Sequence, residues 1–255
     1  MVQQTTVEPT PSRGRRILDE IKGLVVTGGL MLFAGTAIGQ PFIVPSGSME
    51  PTLMIGDEIA AAKYAYGYGR YSAPFGVIPI NGRVLDHPPE RGDIVVFALP
   101  RDPKQTYVKR LIGLPGDRIQ MQGGQLYING VEVARRPVGR VTVAVGSVQV
   151  PATKYVETLP NGRTHDIIKA ASGPLDDTEV FTVPPGHYFM MGDNRDNSLD
   201  SRVSPDEGGV GFVPAENLIG RVDRVLFSIT PFTGWLDAAG NLRDLRLSRV
   251  LHAVQ

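Results

Sequence analysis

Cysteine is absent from all 255 residues. That absence removes disulfides, thiolate metal ligation and a cysteine nucleophile together. It leaves the compartment open, because an exported domain can do without disulfides. Histidine is scarce: the four are His87, His165, His187 and His252. None falls in a metal-ligand spacing such as HExxH, so they read as surface or loop residues, and no metal or organic cofactor is implied. Net charge is missing as well, with 26 basic against 26 acidic residues. A nucleic-acid partner calls for a basic surplus, so none is expected. Internal repeats are lacking, and so is long helical periodicity after the first 45 residues. What remains is a chain long enough for one large domain or two modest ones. Its aromatic and β-branched residues are too frequent for disorder.

The N-terminal region carries a long apolar run. Residues 23–49 contain no charged side chain, and 24–44 are strongly apolar, about the 20 residues a membrane-spanning helix needs. Gly28, Gly29, Ala34, Gly35 and Gly39 are tolerated in such helices. Arg13, Arg15, Arg16 and Lys22 precede the run. The positive-inside rule therefore predicts a cytoplasmic tail over 1–20, one transmembrane helix over 21–44, and everything after it outside. A core helix is disfavoured because the run is long and has no polar face. A cleaved signal peptide, with Gly35 and Ala37 as its small −3 and −1 residues, has against it that the run continues through Ile38, Phe42, Ile43 and Val44.

From residue 45 onward short apolar runs alternate with turn signals, which predicts a mainly β fold: an antiparallel sheet or barrel. Strands are expected over 93–99, 107–114, 117–122, 187–191 and 218–229. Asn129-Gly130 and Gly123-Gly124 are expected at tight hairpin turns. The stretch 135–185 is less regular and reads as a β-rich insertion. Residues 235–255, with Arg243, Arg246 and Arg249 among leucines, read as a short element packed on the barrel. Tyr64, Tyr66, Tyr68, Tyr71 and Phe75 suit either an aromatic hairpin or a surface dipping into lipid headgroups.

Three segments carry chemistry, each weak alone. PSGSMEPTL (45–53) has the composition of a flexible linker, but MIGDEI follows at once, as if entering a strand, and Ser48 between Gly47 and Met49 suits a tight turn with an exposed hydroxyl. In YVKRLIGLPGD (107–117), strand alternation puts Lys109 on the face of Tyr107 and Leu111. An edge lysine there would snorkel to water, whereas a desolvated one becomes neutral enough to act as a general base. GDNRDNSLDSR (192–202) is a dense polar loop. As a calcium loop it offers Asp196, Ser198, Asp200 and Glu207 in register but places Ser201 where glycine is required. A serine nucleophile needs a base, a group to orient the base, and oxyanion donors. Ser48, Lys109 and Ser198 fit the roles of nucleophile, base and orienting group if the fold unites them.

Taken in order, PSGSMEPTL, GDEIAAAKYAYG, RGDIVVF, YVKRLIGLPGD and GDNRDNSLDSR closely resemble the bacterial type I signal peptidases, across about half of the exported part. The resemblance implies a serine endopeptidase of the inner (plasma) membrane, with a catalytic domain over 45–255 on the extracytoplasmic side. It implies Ser48 as nucleophile, Lys109 as base, and Ser198 orienting the lysine amine. The Ser46 hydroxyl would join the Ser48 amide in the oxyanion hole. Arg110, Asp193, Asp200 and Arg202 would form supporting ion pairs, and Met49 would pack beside the nucleophile. The implied partners are the signal peptides of exported preproteins, cut after small −1 and −3 residues, and membrane lipid. A specialised processor of one exported substrate, and a catalytically silent anchored β-domain, are the rival readings.

Overall fold

The computed structural model describes residues 13–37, 39–72, 82–145, 148–170, 172–230 and 245–254. One α-helix, α1 (Arg13–Ala37), is followed by strands. These are β1 (Gly39–Ile43), β2 (Asp57–Ala62), β3 (Tyr68–Gly69), β4 (Arg83–Val84), β5 (Ile94–Leu99) and β6 (Asp102–Gly113). Next come β7 (Arg118–Gln122), β8 (Gln125–Ile128), β9 (Val131–Glu132), β10 (Arg135–Val145), β11 (Val148–Thr158) and β12 (Thr164–Ala170). The last are β13 (Phe181–Thr182), β14 (His187–Met191), β15 (Val213–Pro214) and β16 (Leu218–Ser228).

The largest sheet has the order β1-β2-β16-β5-β6-β14-β15, with every neighbouring pair antiparallel. Its central strand, β5, is buried along its whole length. Ile94, Val96 and Ala98 enter one core cluster, with Met49, Leu53 and Ile59. Val95, Phe97 and Leu99 enter another, with Leu111 and Met190. An unbroken apolar run is what a strand covered on both faces requires, and each large side chain so buried contributes roughly 1.5–3 kcal/mol. A four-stranded sheet (β13-β7-β8-β9) lies over a third cluster around Ile112, Ile119 and Phe189. Its two tight turns place Gly123-Gly124 and Asn129-Gly130 at positive φ, the backbone that two-residue hairpins of this twist demand.

The stretch 135–185 is more regular than expected. Residues 135–170 form a three-stranded antiparallel meander, β10-β11-β12. Among the described residues its own cluster is small: Val143, Ala152 and Ile168, with Val141, Val150 and Ala170 partly buried against them. β12 also reaches outside its sheet. Ile168 N donates to Asp193 O (2.9 Å) and Ile168 O accepts from Arg195 N (3.0 Å), a short parallel bridge to the loop after β14.

The expected membrane span over 21–44 needs correction at its end. The helix stops at Ala37, and 39–43 form β1, paired with β2 from Gly39↔Ala62 to Ile43↔Glu58. Pro41 explains the break: it has no N–H to give a helix, and its ring drives the preceding residue out of the helical region. Among the described residues no helix is long and apolar enough to cross a membrane. Those of α1 nevertheless include bare apolar side chains: Leu24 is 74% and Leu30 64% exposed.

The aromatic group divides. Tyr66 is buried and donates to Asp93 Oδ2 (3.0 Å), whereas Tyr64 is exposed. Phe75 lies outside the described residues. At the C-terminus Arg249 Nε donates to Asp57 Oδ1 (2.9 Å) and Arg246 Nη1 to Ile55 O (3.0 Å), fastening this segment to the start of β2. Arg243 lies outside the described residues.

Candidate active site

Ser48 sits in a single 3-10 turn, Gly47–Met49, entered directly from β1 through Val44. Met49 points into the core beneath it, fully buried with Leu53. Two hydrogen bonds from Asn194 clamp the turn: its N–H donates to Ser48 O and its Nδ2 to Gly47 O, both at 3.1 Å. Gly192 permits this approach, because a Cβ there would stand 2.3 Å from Ser198 Oγ and 2.5 Å from Ser48 O.

Lys109 comes from β6, where it pairs with Val95 of β5. Opposed residues of an antiparallel pair share a face, so its stem runs over Val95, Tyr107 and Leu111. Its Nζ lies 5.6 Å from the Tyr107 ring centroid and hydrogen-bonds Ser48 Oγ at 2.6 Å. The side chain is buried, and burial lowers the amine from its ordinary 10.5 to about 8, against the upward pull of the Asp200 and Asp193 carboxylates.

The neighbouring residues form two buried ion pairs. Arg110 holds Asp193 in a two-pronged contact, with Nε to Oδ1 and Nη2 to Oδ2 both at 2.8 Å. Thr52 Oγ1 adds a hydrogen bond to Asp193 Oδ2 at 2.6 Å, and Arg110 Nη1 donates to Gly92 O at 2.7 Å. Burial alone would raise the Asp193 carboxyl, but Arg110 outweighs it and holds the group below its ordinary value. Arg202 grips Asp200 in the same way (2.9 and 2.8 Å), and Gly192 N donates to Asp200 Oδ2 at 3.0 Å. Burial pushes the Asp200 carboxyl up, and Arg202 brings it below normal. Asp196 bonds Lys169 at 2.7 Å. Of the carboxylates weighed for a calcium loop, Asp196 and Asp200 are thus committed to cations, while Glu207 is exposed and bonds Ser204.

One placement differs from expectation. Ser198 Oγ is buried and makes no hydrogen bond to Lys109; its hydroxyl instead helps to hold the Asp200 carboxyl below its ordinary value. The short contact from the lysine amine goes to Ser48 instead. Ser46 is exposed, its Oγ 3.4 Å from Ser48 Oγ. Sequence reasoning missed Asn194, Gly192 and Thr52 as parts of the site. Asn194 and Gly192 lie inside the GDNRDNSLDSR segment and Thr52 inside PSGSMEPTL, but nothing local marks the contacts they make across the chain.

A cavity of about 820 Å³ opens at this point, lined by Ser46, Ser48, Lys109 and Ser198 and by apolar side chains from the large sheet, among them Phe42, Val44, Val96 and Val108. A serine hydroxyl touched by a buried amine of lowered basicity, in an apolar cleft, is equipped for nucleophilic attack on a carbonyl.

Residues 17–227 match the family model described as "Signal peptidase, peptidase S26". Signal peptidase I of Rickettsia typhi is 46% identical over 232 residues, 84% of each chain. That of Rickettsia canadensis is 42% identical over 238 residues, covering 90% of this chain and 86% of the relative. Among solved structures, a signal peptidase I from Enterococcus faecalis is 30% identical, covering 53% of this chain and 97% of its own, at a TM-score of 0.30. The chain belongs to the peptidase S26 family of signal peptidases and is an enzyme of that family.

Proposed function

We propose that the protein is a membrane-bound serine endopeptidase that removes signal peptides from exported preproteins by a Ser48/Lys109 dyad. The observation that carries this reading is the 2.6 Å contact between the Ser48 hydroxyl and a buried lysine amine lowered to about 8. Neutral Lys109 accepts the Ser48 proton as Oγ attacks the scissile carbonyl. The tetrahedral oxyanion is held by the Ser48 N–H and the Ser46 hydroxyl, each such donor being worth about 3 kcal/mol. The lysine ammonium then protonates the leaving amine, and the same amine activates the water that releases the acyl-enzyme. Ser198 lines the same cavity, beside Asp200, and its role here is to orient the amine during turnover. Arg110–Asp193 and Arg202–Asp200 are supporting pairs that fix the loop carrying Ser198.

The substrate binds extended beside β1, the edge strand of the large sheet. Valine-lined walls suit small side chains at −1 and −3. Bare leucines on α1, preceded by basic residues in the sequence, support the helix as a membrane anchor with a cytoplasmic N-terminus. Attack then occurs at the outer membrane surface, where the substrate's own apolar segment ends.

The test is cleavage of model preproteins by the detergent-solubilised protein, wild type against Lys109→Ala. The expected outcome is a cut after the small-residue motif by wild type and none by the variant. Cleavage by Lys109→Ala at ordinary rates at any pH would sink the dyad. Failure of wild type on several unrelated preproteins would point to a specialised processor.

A further inference from the structure

The cavity at Ser48 has walls of two origins. One is the large sheet, through Phe42, Val44, Ile59, Val96 and Val108. The other lies outside it: Pro174 and Leu175 of the 135–185 insertion, with Asp196, Leu199 and Val203 of the segment after β14.

The insertion's contribution is firmly placed. Lys169 at the end of β12 reaches both Asp176 (2.8 Å) and Asp196 (2.7 Å). Gly173 N donates to Asp176 Oδ2 (2.9 Å), and Asp176 O accepts from Gly124 N (2.9 Å), which fixes the turn bearing Pro174 and Leu175 at both ends. Ala170 N donates to Asp196 Oδ2 (2.6 Å). A Cβ at Gly173 would stand 2.9 Å from Asp196 Oδ1, so the turn lies directly on the loop that carries Ser198. Lys169 carries one positive charge against the two carboxylates, so the surface beside the apolar Leu175 side chain keeps an excess of negative charge.

An extended peptide crossing Ser48 has two halves. α1 leads into β1, and on the peptidase reading above it shares the bilayer with the substrate's apolar segment. Residues upstream of the cut therefore run beside β1 and the sheet wall. The freed amine takes its proton from Lys109, and the chain behind it continues toward the other wall. Resting on that reading, we propose that Leu175, with Pro174, forms the subsite for the first two residues of the mature chain and sets specificity downstream of the cut. A neutral apolar side chain fits this wall; a carboxylate would be desolvated there without a partner.

The experiment uses the full-length protein in detergent and preproteins identical upstream of the cut, carrying Ala, Leu or Asp at +1 and +2. Wild type is expected to cut the Leu substrates at least about fivefold faster than the Asp substrates, a discrimination of the size an apolar pocket provides. Leu175→Ala should narrow that ratio severalfold, and Leu175→Asp should abolish it while leaving the −1 and −3 preference unchanged. Pro174→Ser, which keeps the loop length, provides a second perturbation of the same wall. An unchanged Leu-to-Asp ratio in all three active variants, or a shift confined to −1 and −3, would overturn the subsite. Absence of any cleavage by wild type would instead overturn the peptidase reading on which it rests.

Discussion

At the scale of single residues the chemistry turns on how a lysine loses its proton. Lys109 can take up the Ser48 proton only when neutral, and burial lowers its pKa to about 8. Below that value the neutral fraction falls tenfold per pH unit, so about a tenth of the enzyme is competent at pH 7. The expected profile of kcat/KM against pH therefore rises with unit slope and levels off above about 8. A profile flat from pH 6 to 10, on a substrate with no titrating group, would show that the base is another residue. Ser198→Ala leaves both members of the 2.6 Å pair in place. It should lower kcat by about 10- to 100-fold with little change in KM, against complete loss for Ser48→Ala, if the hydroxyl orients the amine only during turnover. Equal loss in the two variants, with unchanged folding, would mean that Ser198 does more than position. Sequence made Lys109 legible because strand alternation placed it among apolar neighbours. It could not show Ser198 turned away from Lys109 or Asn194 clamping the nucleophile turn, since both depend on how segments far apart in the chain meet.

At the scale of elements the site depends on one ion pair that attaches a polar loop to a strand, Arg110–Asp193, and one that braces the loop internally, Arg202–Asp200. Arg110 follows Lys109 on β6, and its contact with Asp193 ties the base-bearing strand to the segment that holds Asn194 and Ser198. Both partners are buried, so removing one leaves an uncompensated charge, which costs about 3–5 kcal/mol. Asp193→Ala should lower the urea midpoint accordingly and reduce turnover; a change under about 1 kcal/mol would show that water replaces the carboxylate. The sign with pH follows from the depressed Asp193 pKa. Its stabilisation is complete above the ordinary carboxylate value and is lost as pH falls through the folded value, so wild type loses at acid pH a term that Asp193→Ala already lacks. Elements with a strong local signature were readable beforehand: the doubly covered β5 from its unbroken apolar run, and the hairpin turns from Asn129-Gly130 and Gly123-Gly124. The meander β10-β11-β12 was legible only as β-rich, because Pro137, Gly139 and Pro151, turn formers by type, sit beside the short valine alternations at 141–145 and 148–150. Its bridge from Ile168 to the loop at Asn194 joins parts of the chain that no local pattern relates.

At the scale of the whole molecule, the question is why a β-domain should follow a helix with bare leucines. β1 begins two residues after α1 ends, and the nucleophile follows β1 by five residues, so the site is tied closely to whatever surface holds the helix. A strand rises about 3.3 Å per residue, which keeps Ser48 within roughly 35 Å of the end of α1 even when fully extended. Removal of residues 1–37 should therefore separate two properties. The truncated protein should no longer sediment with lipid vesicles but should retain cleavage of a short soluble peptide spanning the cut, because the Ser48–Lys109 contact lies wholly within the β-domain. Its rate on preproteins inserted in vesicles should fall by about 10- to 100-fold, the gain in effective concentration that a tether near its target supplies. Equal loss on both substrates would show instead that α1 supports the fold of β1 and its turn. Undiminished cleavage of vesicle-bound preprotein would show that the β-domain reaches the membrane by itself, leaving exposed groups such as Tyr64 and Ile43 as the contact.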